Sequence, residues 1–95
     1  MNIIIGSDHL GDDFPEKLQG LFPEVNFIKA FEENRQLKHI DTADVYFGFP
    51  SNEIVKRGSK LKWIACPGTG IDKIIANSEF LNPKTIITNA PLAHV

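Results

Sequence analysis

The segment Cys66-Pro67-Gly68-Thr69-Gly70-Ile71-Asp72 is the part of the sequence best suited to hold a ligand. It follows a predicted strand, and open α/β sheets bind ligands outside the carboxyl ends of their strands. Its glycines let the backbone turn sharply, and consecutive N–H groups before a helix can hold a phosphate or a carboxylate. A plain turn between a strand and a helix would also use these residues. The segment is neither a Walker A loop nor GxGxxG, so it predicts no dinucleotide site.

Three other residues could carry chemistry. Asp8 and His9 follow the first predicted strand, where a His beside an Asp can transfer a proton or orient a substrate, although the pair also suits a solvent-facing loop. Cys66 could act as a nucleophile or base, or be a small buried side chain. His39 and His94 have no further ligand at metal-binding spacing, so the sequence predicts no metal site.

Composition excludes several classes of protein. The 95 residues are 42% hydrophobic and 23% charged, which is typical of one globular domain and not of a disordered chain. Ten basic and twelve acidic residues, without a basic cluster, argue against nucleic-acid binding. We expect no membrane segment and no signal peptide. The single cysteine allows no internal disulfide and favours a reducing, cytoplasmic location.

Short apolar runs alternate with helical segments along the chain. Helices are predicted after Asp12 and Asp13, over Phe31 to Ile40, between Ser51 and Gly58, and over Ile71 to Ile75. Strands are predicted near residues 2–5, 25–28, 44–47, 62–65 and 85–88. This alternation predicts an α/β fold: a flavodoxin-like, doubly wound parallel sheet of five strands in the order 2-1-3-4-5. No helical segment follows the fifth strand, so we expect this single domain, residues 1–95, to be incomplete at its C-terminal end.

Residues 44–95 resemble the N-terminal part of the D-isomer-specific 2-hydroxyacid dehydrogenases. The resemblance is carried by Asp44-Val45, Leu61-Lys62-Trp63-Ile64, Pro67-Gly68-Thr69-Gly70-Ile71-Asp72-Lys73-Ile74, and Ile87-Thr88-Asn89-Ala90 with Ala93-His94. It implies a substrate-binding domain whose partner domain for NAD or NADP is absent from this chain. The amides of Thr69 and Gly70 would hold the carboxylate of a small 2-oxo or 2-hydroxy acid, and Phe49 would line the pocket. No catalytic residue and no cofactor site is then expected within the chain.

A second resemblance points to another activity. Ile5-Gly6-Ser7-Asp8-His9, and the Cys66 to Asp72 loop followed by Ala76-Asn77, are similar to segments of the ribose-5-phosphate isomerase B family. This alternative implies a sugar-phosphate isomerase with Cys66 as base and Asp8 and His9 at the sugar. The inserted Pro67, and Asp72 in place of a glycine, depart from that family.

Under the dehydrogenase interpretation, apolar surface that the rest of the enzyme would cover lies exposed in this chain. We therefore expect the isolated chain to self-associate.

Overall fold

Five short strands rich in β-branched and aromatic residues form one parallel sheet. The computed structural model describes residues 1–67 and 83–89. The strands are β1 (Asn2–Ile5), β2 (Asn26–Lys29), β3 (Val45–Phe47), β4 (Trp63–Cys66) and β5 (Ile86–Asn89). Their order is β2-β1-β3-β4-β5, with every neighbouring pair parallel. The predicted flavodoxin-like fold is therefore confirmed, and four of the strands begin one residue later than expected.

The helices of the described residues connect these strands. They are α1 (Phe14–Leu21), α2 (Glu33–His39) and α3 (Asn52–Arg57), and a 3-10 turn (Ile40–Thr42) follows α2. None of them is long and apolar enough to cross a membrane. The predicted helix over Ile71 to Ile75 lies outside the described residues.

Two of the helix boundaries show how local chemistry sets them. For α3, the Ser51 hydroxyl accepts a hydrogen bond from the Ile54 N–H at 3.4 Å, and Gly58 N–H donates to Ile54 O at 2.9 Å, as the capping pattern predicts. The expected start of α2 at Phe31 is wrong. Ala30 N–H still donates to Ile5 O at 3.0 Å, which continues the pairing of β1 with β2, and Glu32 is extended. The helix therefore begins only at Glu33.

The core lies between one face of the sheet and the pair α2 and α3. Ile4, Tyr46 and Ile64 are opposite one another on adjacent strands and are fully buried. Ile40 and Ile54 cover them from the helical side. Burial of side chains of this size stabilises a fold by roughly 1.5–3 kcal/mol each, so this face holds the sheet together.

On the opposite face of the sheet, α1 packs against β2. An apolar groove of about 440 Å³ is open between the side chains of α1 and this face of the sheet. Its floor includes Ile3, Val45 and Trp63, which are opposite one another on β1, β3 and β4. Trp63 is 43% exposed in this groove, and Ile86, which is 63% exposed, lies with Trp63 in an adjoining apolar groove. This groove is the surface that the expected self-association would use, and self-association stays a prediction.

Candidate ligand site at the carboxyl edge of the sheet

The carboxyl ends of β1 and β3 form a crevice because the chain leaves these two neighbouring strands in opposite directions. After β1 it turns to α1, which packs on the face with Ile3 and Ile5. After β3 it turns to α3, whose Ile54 packs on the other face. β1 lies between β2 and β3, so the strand order reverses here. Such a switch point is where open α/β sheets bind ligands.

Two glycines let the backbones of the exit loops approach closely. Gly6 N–H donates to Phe47 O at 2.7 Å, and Gly48 N–H donates to Ala65 O at 2.9 Å, so both loops continue the backbone hydrogen bonding of the parallel sheet. Gly48 has φ +142°, which other residues rarely adopt. A Cβ on Gly48 would lie 3.0 Å from the carbonyl carbon of Gly6 and 3.3 Å from the Ser7 nitrogen. The crevice in this form therefore requires glycine at position 48.

A buried hydrogen-bond network holds the loop that follows β1, here called the β1 loop. The Tyr46 hydroxyl donates to Gln36 Oε1 at 2.9 Å, and Gln36 Nε2 donates to Ala30 O at 2.9 Å and to Gly6 O at 3.3 Å. Burial raises the pKa of the Tyr46 phenol well above its ordinary value, so the hydroxyl remains a donor. The network joins α2 to the ends of β1, β2 and β3.

The network around Gln36 was not predicted from the sequence, although the sequence contains one signal for it. Gln36 lies four residues before the buried Ile40, and residues at this spacing share one face of a helix. A polar residue on a face that is otherwise apolar predicts a buried hydrogen-bonding role. Gln36 is 6% exposed, and its amide has partners for both its nitrogen and its oxygen.

The exit loops bring His9 and Phe49 together across the crevice. Their ring centroids lie 6.5 Å apart at an interplanar angle of 77°, an edge-to-face contact. His9 N–H donates to Ser7 Oγ at 3.1 Å, and Gly11 N–H donates to Asp8 O at 2.8 Å, which folds the β1 loop into a tight turn. Phe49 is 48% exposed, so its ring is available to a ligand. The candidate residues Asp8, His9 and Phe49 thus lie at one edge.

Cys66 ends β4 on the other side of the sheet from α1. Its side chain is 1% exposed and belongs to the same buried cluster as Ile64. Burial raises the pKa of the thiol above its ordinary value because the thiolate would lose its solvation. Among the described residues, no hydrogen bond joins the thiol to Asp8 or His9. The three residues therefore do not form a hydrogen-bonded catalytic group in this part of the chain.

The remaining candidates divide between described and undescribed residues. Thr69 and Gly70 lie outside the described ranges, as does His94. His39 is exposed at the end of α2, on the far edge of the sheet. Within residues 1–67 and 83–89, no group of three or more His, Cys, Asp or Glu side chains could hold a metal ion.

Comparison with known proteins identifies no relative of this chain. No protein-family model matches the chain, and no curated protein matches it.

Proposed function

We propose that this chain is the substrate-binding portion of an NAD(P)-dependent D-2-hydroxyacid dehydrogenase. The observation that carries the proposal is the half-exposed Phe49 at the β1/β3 switch point, on the same edge as the end of β4. The loop that resembles the carboxylate-binding loop of that family begins directly after β4. In this proposal, the aromatic ring and the glycine loop together suit a small acid, whose carboxylate and carbon substituent need different surroundings.

Each candidate residue has one role in this proposal. The backbone N–H groups of Thr69 and Gly70 bind the carboxylate of a 2-oxo or 2-hydroxy acid, and Phe49 contacts its substituent. NAD or NADP binds to another domain of a longer protein, which also supplies the catalytic residues. The chain alone then transfers no hydride. The single cysteine supports a reducing, cytoplasmic location for such an enzyme.

The burial of Cys66 favours this proposal over the sugar-phosphate isomerase. A cysteine base must be accessible and must form a thiolate at neutral pH. Cys66 is 1% exposed, and its burial raises the thiol pKa, which lowers the thiolate fraction. Both observations oppose proton abstraction by this side chain.

Substitution of Gly70 tests the carboxylate role. In the full-length dehydrogenase that contains this chain, Gly70→Val places a branched side chain beside the proposed amide donors. We expect the KM for the 2-oxo acid to rise by more than tenfold, about 1.4 kcal/mol, with an almost unchanged affinity for NAD or NADP. Thr69→Ala is the matched control and should have a mild effect, because only the amide of that residue is used. A KM within about twofold of the parent value in Gly70→Val would refute the role.

The isomerase alternative has its own test on the isolated chain. Incubation with ribose 5-phosphate should yield no ribulose 5-phosphate above the buffer control. Isomerase activity that disappears in Cys66→Ser would overturn the dehydrogenase proposal.

A further inference from the structure

The outer edge of β2 is contacted by a side chain of α1. β2 is an edge strand of the sheet, and the N–H groups of Asn26 and Ala30 each donate at 3.0 Å to a carbonyl on the β1 side. Successive backbone N–H groups point to opposite sides of a strand. The N–H and C=O groups of Val25, Phe27 and Lys29 therefore point away from β1. On an unprotected edge strand, such a row of groups pairs readily with another chain.

Gln19 of α1 binds two of these groups through one side-chain amide. Its Oε1 accepts a hydrogen bond from Phe27 N–H at 3.2 Å, and its Nε2 donates to Val25 O at 2.6 Å. Beside them Val25 N–H donates at 3.1 Å to the carbonyl of Phe22, which directly follows α1. A strand that adds to a sheet edge is held by main-chain hydrogen bonds to groups of this kind. Gln19 therefore occupies the position of a further strand.

The strand that fits this edge is β2 of a second copy of the chain. With two copies antiparallel and Phe27 opposite its counterpart, each Phe27 N–H donates to the Phe27 carbonyl of the other copy, and each Val25 O accepts from a Lys29 N–H. This arrangement uses the two groups that Gln19 binds. It also places the two Lys29 side chains at opposite ends of the paired segment, so like charges do not face each other.

We propose that the outer edge of β2 is a surface for pairing with a second copy of this chain, and that Gln19 keeps it closed. When the Gln19 amide is removed, two copies join their sheets at β2. The surface consists of backbone groups at the edge of the sheet, whereas the apolar groove consists of side chains on its face. β2 lies on the opposite side of β1 from β3 and its crevice, so the inference holds whatever ligand the chain binds.

Hydrogen exchange of one amide tests the closure in the parent chain, without any variant. Because Phe27 N–H is bound to Gln19 Oε1, it should exchange at least about tenfold more slowly than an unstructured amide. Exchange of Phe27 at the unstructured rate would overturn the inference.

Two variants of α1 form a matched pair for the same measurement. Gln19→Ala removes both hydrogen bonds, and alanine preserves the helix. In a dilute sample it should accelerate the exchange of Phe27 by about tenfold. Lys17→Ala shortens another polar side chain of α1, one whose ion pair at 3.3 Å is with Asp13 and not with β2, so the exchange of Phe27 should not change. Equal exchange rates of Phe27 in the two variants would contradict the closure by Gln19.

Sedimentation velocity from micromolar to millimolar concentration tests the pairing itself. Gln19→Ala should show an association step that the parent and Lys17→Ala lack, and its Phe27 exchange should slow again as the concentration rises. Association through the apolar groove would be common to all three chains and does not affect the comparison. The same association in Gln19→Ala as in the parent would refute the proposed surface.

A proline in β2 shows whether the edge carries the new contact. Lys29→Pro in the Gln19→Ala background removes the Lys29 N–H that would pair with Val25 O, and proline is tolerated on edge strands. The added association step should disappear, and the exchange of Phe27 should stay fast at every concentration. An association step that survives Lys29→Pro would mean that the copies meet elsewhere, and the inference would be wrong.

Discussion

Replacement of Gly48 by alanine is the sharpest test of the crevice geometry. Gly48 has φ +142°, and its missing Cβ would lie 3.0 Å from the carbonyl carbon, 3.2 Å from the carbonyl oxygen of Gly6, and 3.3 Å from the Ser7 nitrogen. All three neighbours are backbone atoms, and the Gly6 N–H is bound to Phe47 O of β3, so they cannot move as a flexible side chain would. The variant must therefore either strain its own backbone or separate the β1 and β3 loops.

The expected magnitude follows from these two costs. A residue other than glycine in a sparsely populated backbone region costs on the order of 1–3 kcal/mol, and the close contacts add to that. We expect Gly48→Ala to lower the free energy of unfolding by about 2 kcal/mol or more. For a domain of 60–100 residues each kcal/mol changes Tm by roughly 4–8 °C, so Tm should fall by about 10 °C.

Gly20 provides the matched control for this experiment. It is exposed in α1, and apart from its chain neighbours and the backbone of its own helix no atom lies within 4 Å of the position its Cβ would take. Gly20→Ala should therefore raise stability by about 0.5 kcal/mol, because alanine favours the helix over glycine. Urea unfolding followed by circular dichroism measures both variants. The two substitutions should change the free energy of unfolding in opposite directions. A Gly48→Ala variant as stable as the parent would refute the packing of Gly48 against Gly6.

Two further predictions concern the buried polar groups. Tyr46→Phe leaves Gln36 Oε1 buried without the hydroxyl donor that now lies 2.9 Å away. Urea unfolding should therefore show a loss of about 1–3 kcal/mol in the free energy of unfolding. The double variant Tyr46→Phe with Gln36→Leu should lose less stability than the sum of the losses of the two single variants. The pKa of Cys66 is raised above its ordinary 9.0, so its contribution to stability is complete below pH 9 and is lost as the pH rises towards the higher pKa of the folded state. Unfolding free energies at pH 7.5 and 9.5 should differ less in Cys66→Ala than in the parent chain, and an identical difference in both would contradict the burial of the thiol.

The sequence predicted the sheet well because its signals are local. Each strand is a short apolar run, and polar or turn residues separate it from the next element, as Gly6 does after β1. Parallel order follows from the alternation with helices, and the ends of α3 follow from Ser51 and Gly58. Even so, Gly58 acts differently from a typical C-terminal glycine. Its φ is −82°, and a Cβ there would lie 3.0 Å from the carbonyl oxygen of Ile54 and 2.5 Å from Leu61 Cδ1, so the Leu61 side chain would have to move.

The crevice was less predictable because it depends on contacts between distant residues. Positions 6 and 48 require glycine for different reasons. A Cβ on Gly6 would lie 2.5 Å from the Tyr46 hydroxyl oxygen. At position 48, other residues are disfavoured by the positive φ and by contact of a Cβ with the backbone of Gly6. Neither reason can be derived from the residues beside each glycine. The contact of His9 with Phe49 depends on the same approach of the two loops.

Tyr46 links the stability of this fold to the candidate site. Its ring fills the space above Gly6 that any other residue at position 6 would need, and its hydroxyl orients the Gln36 amide, which in turn binds Gly6 O. A change at Tyr46 therefore alters the β1 loop as well as the core. If the network only stabilised the fold, Tyr46→Phe would leave the His9 ring-proton shifts unchanged in the folded chain. Because Gly6 precedes the loop that carries His9, we instead expect those shifts to move, since the ring current of Phe49 acts on His9 at short range.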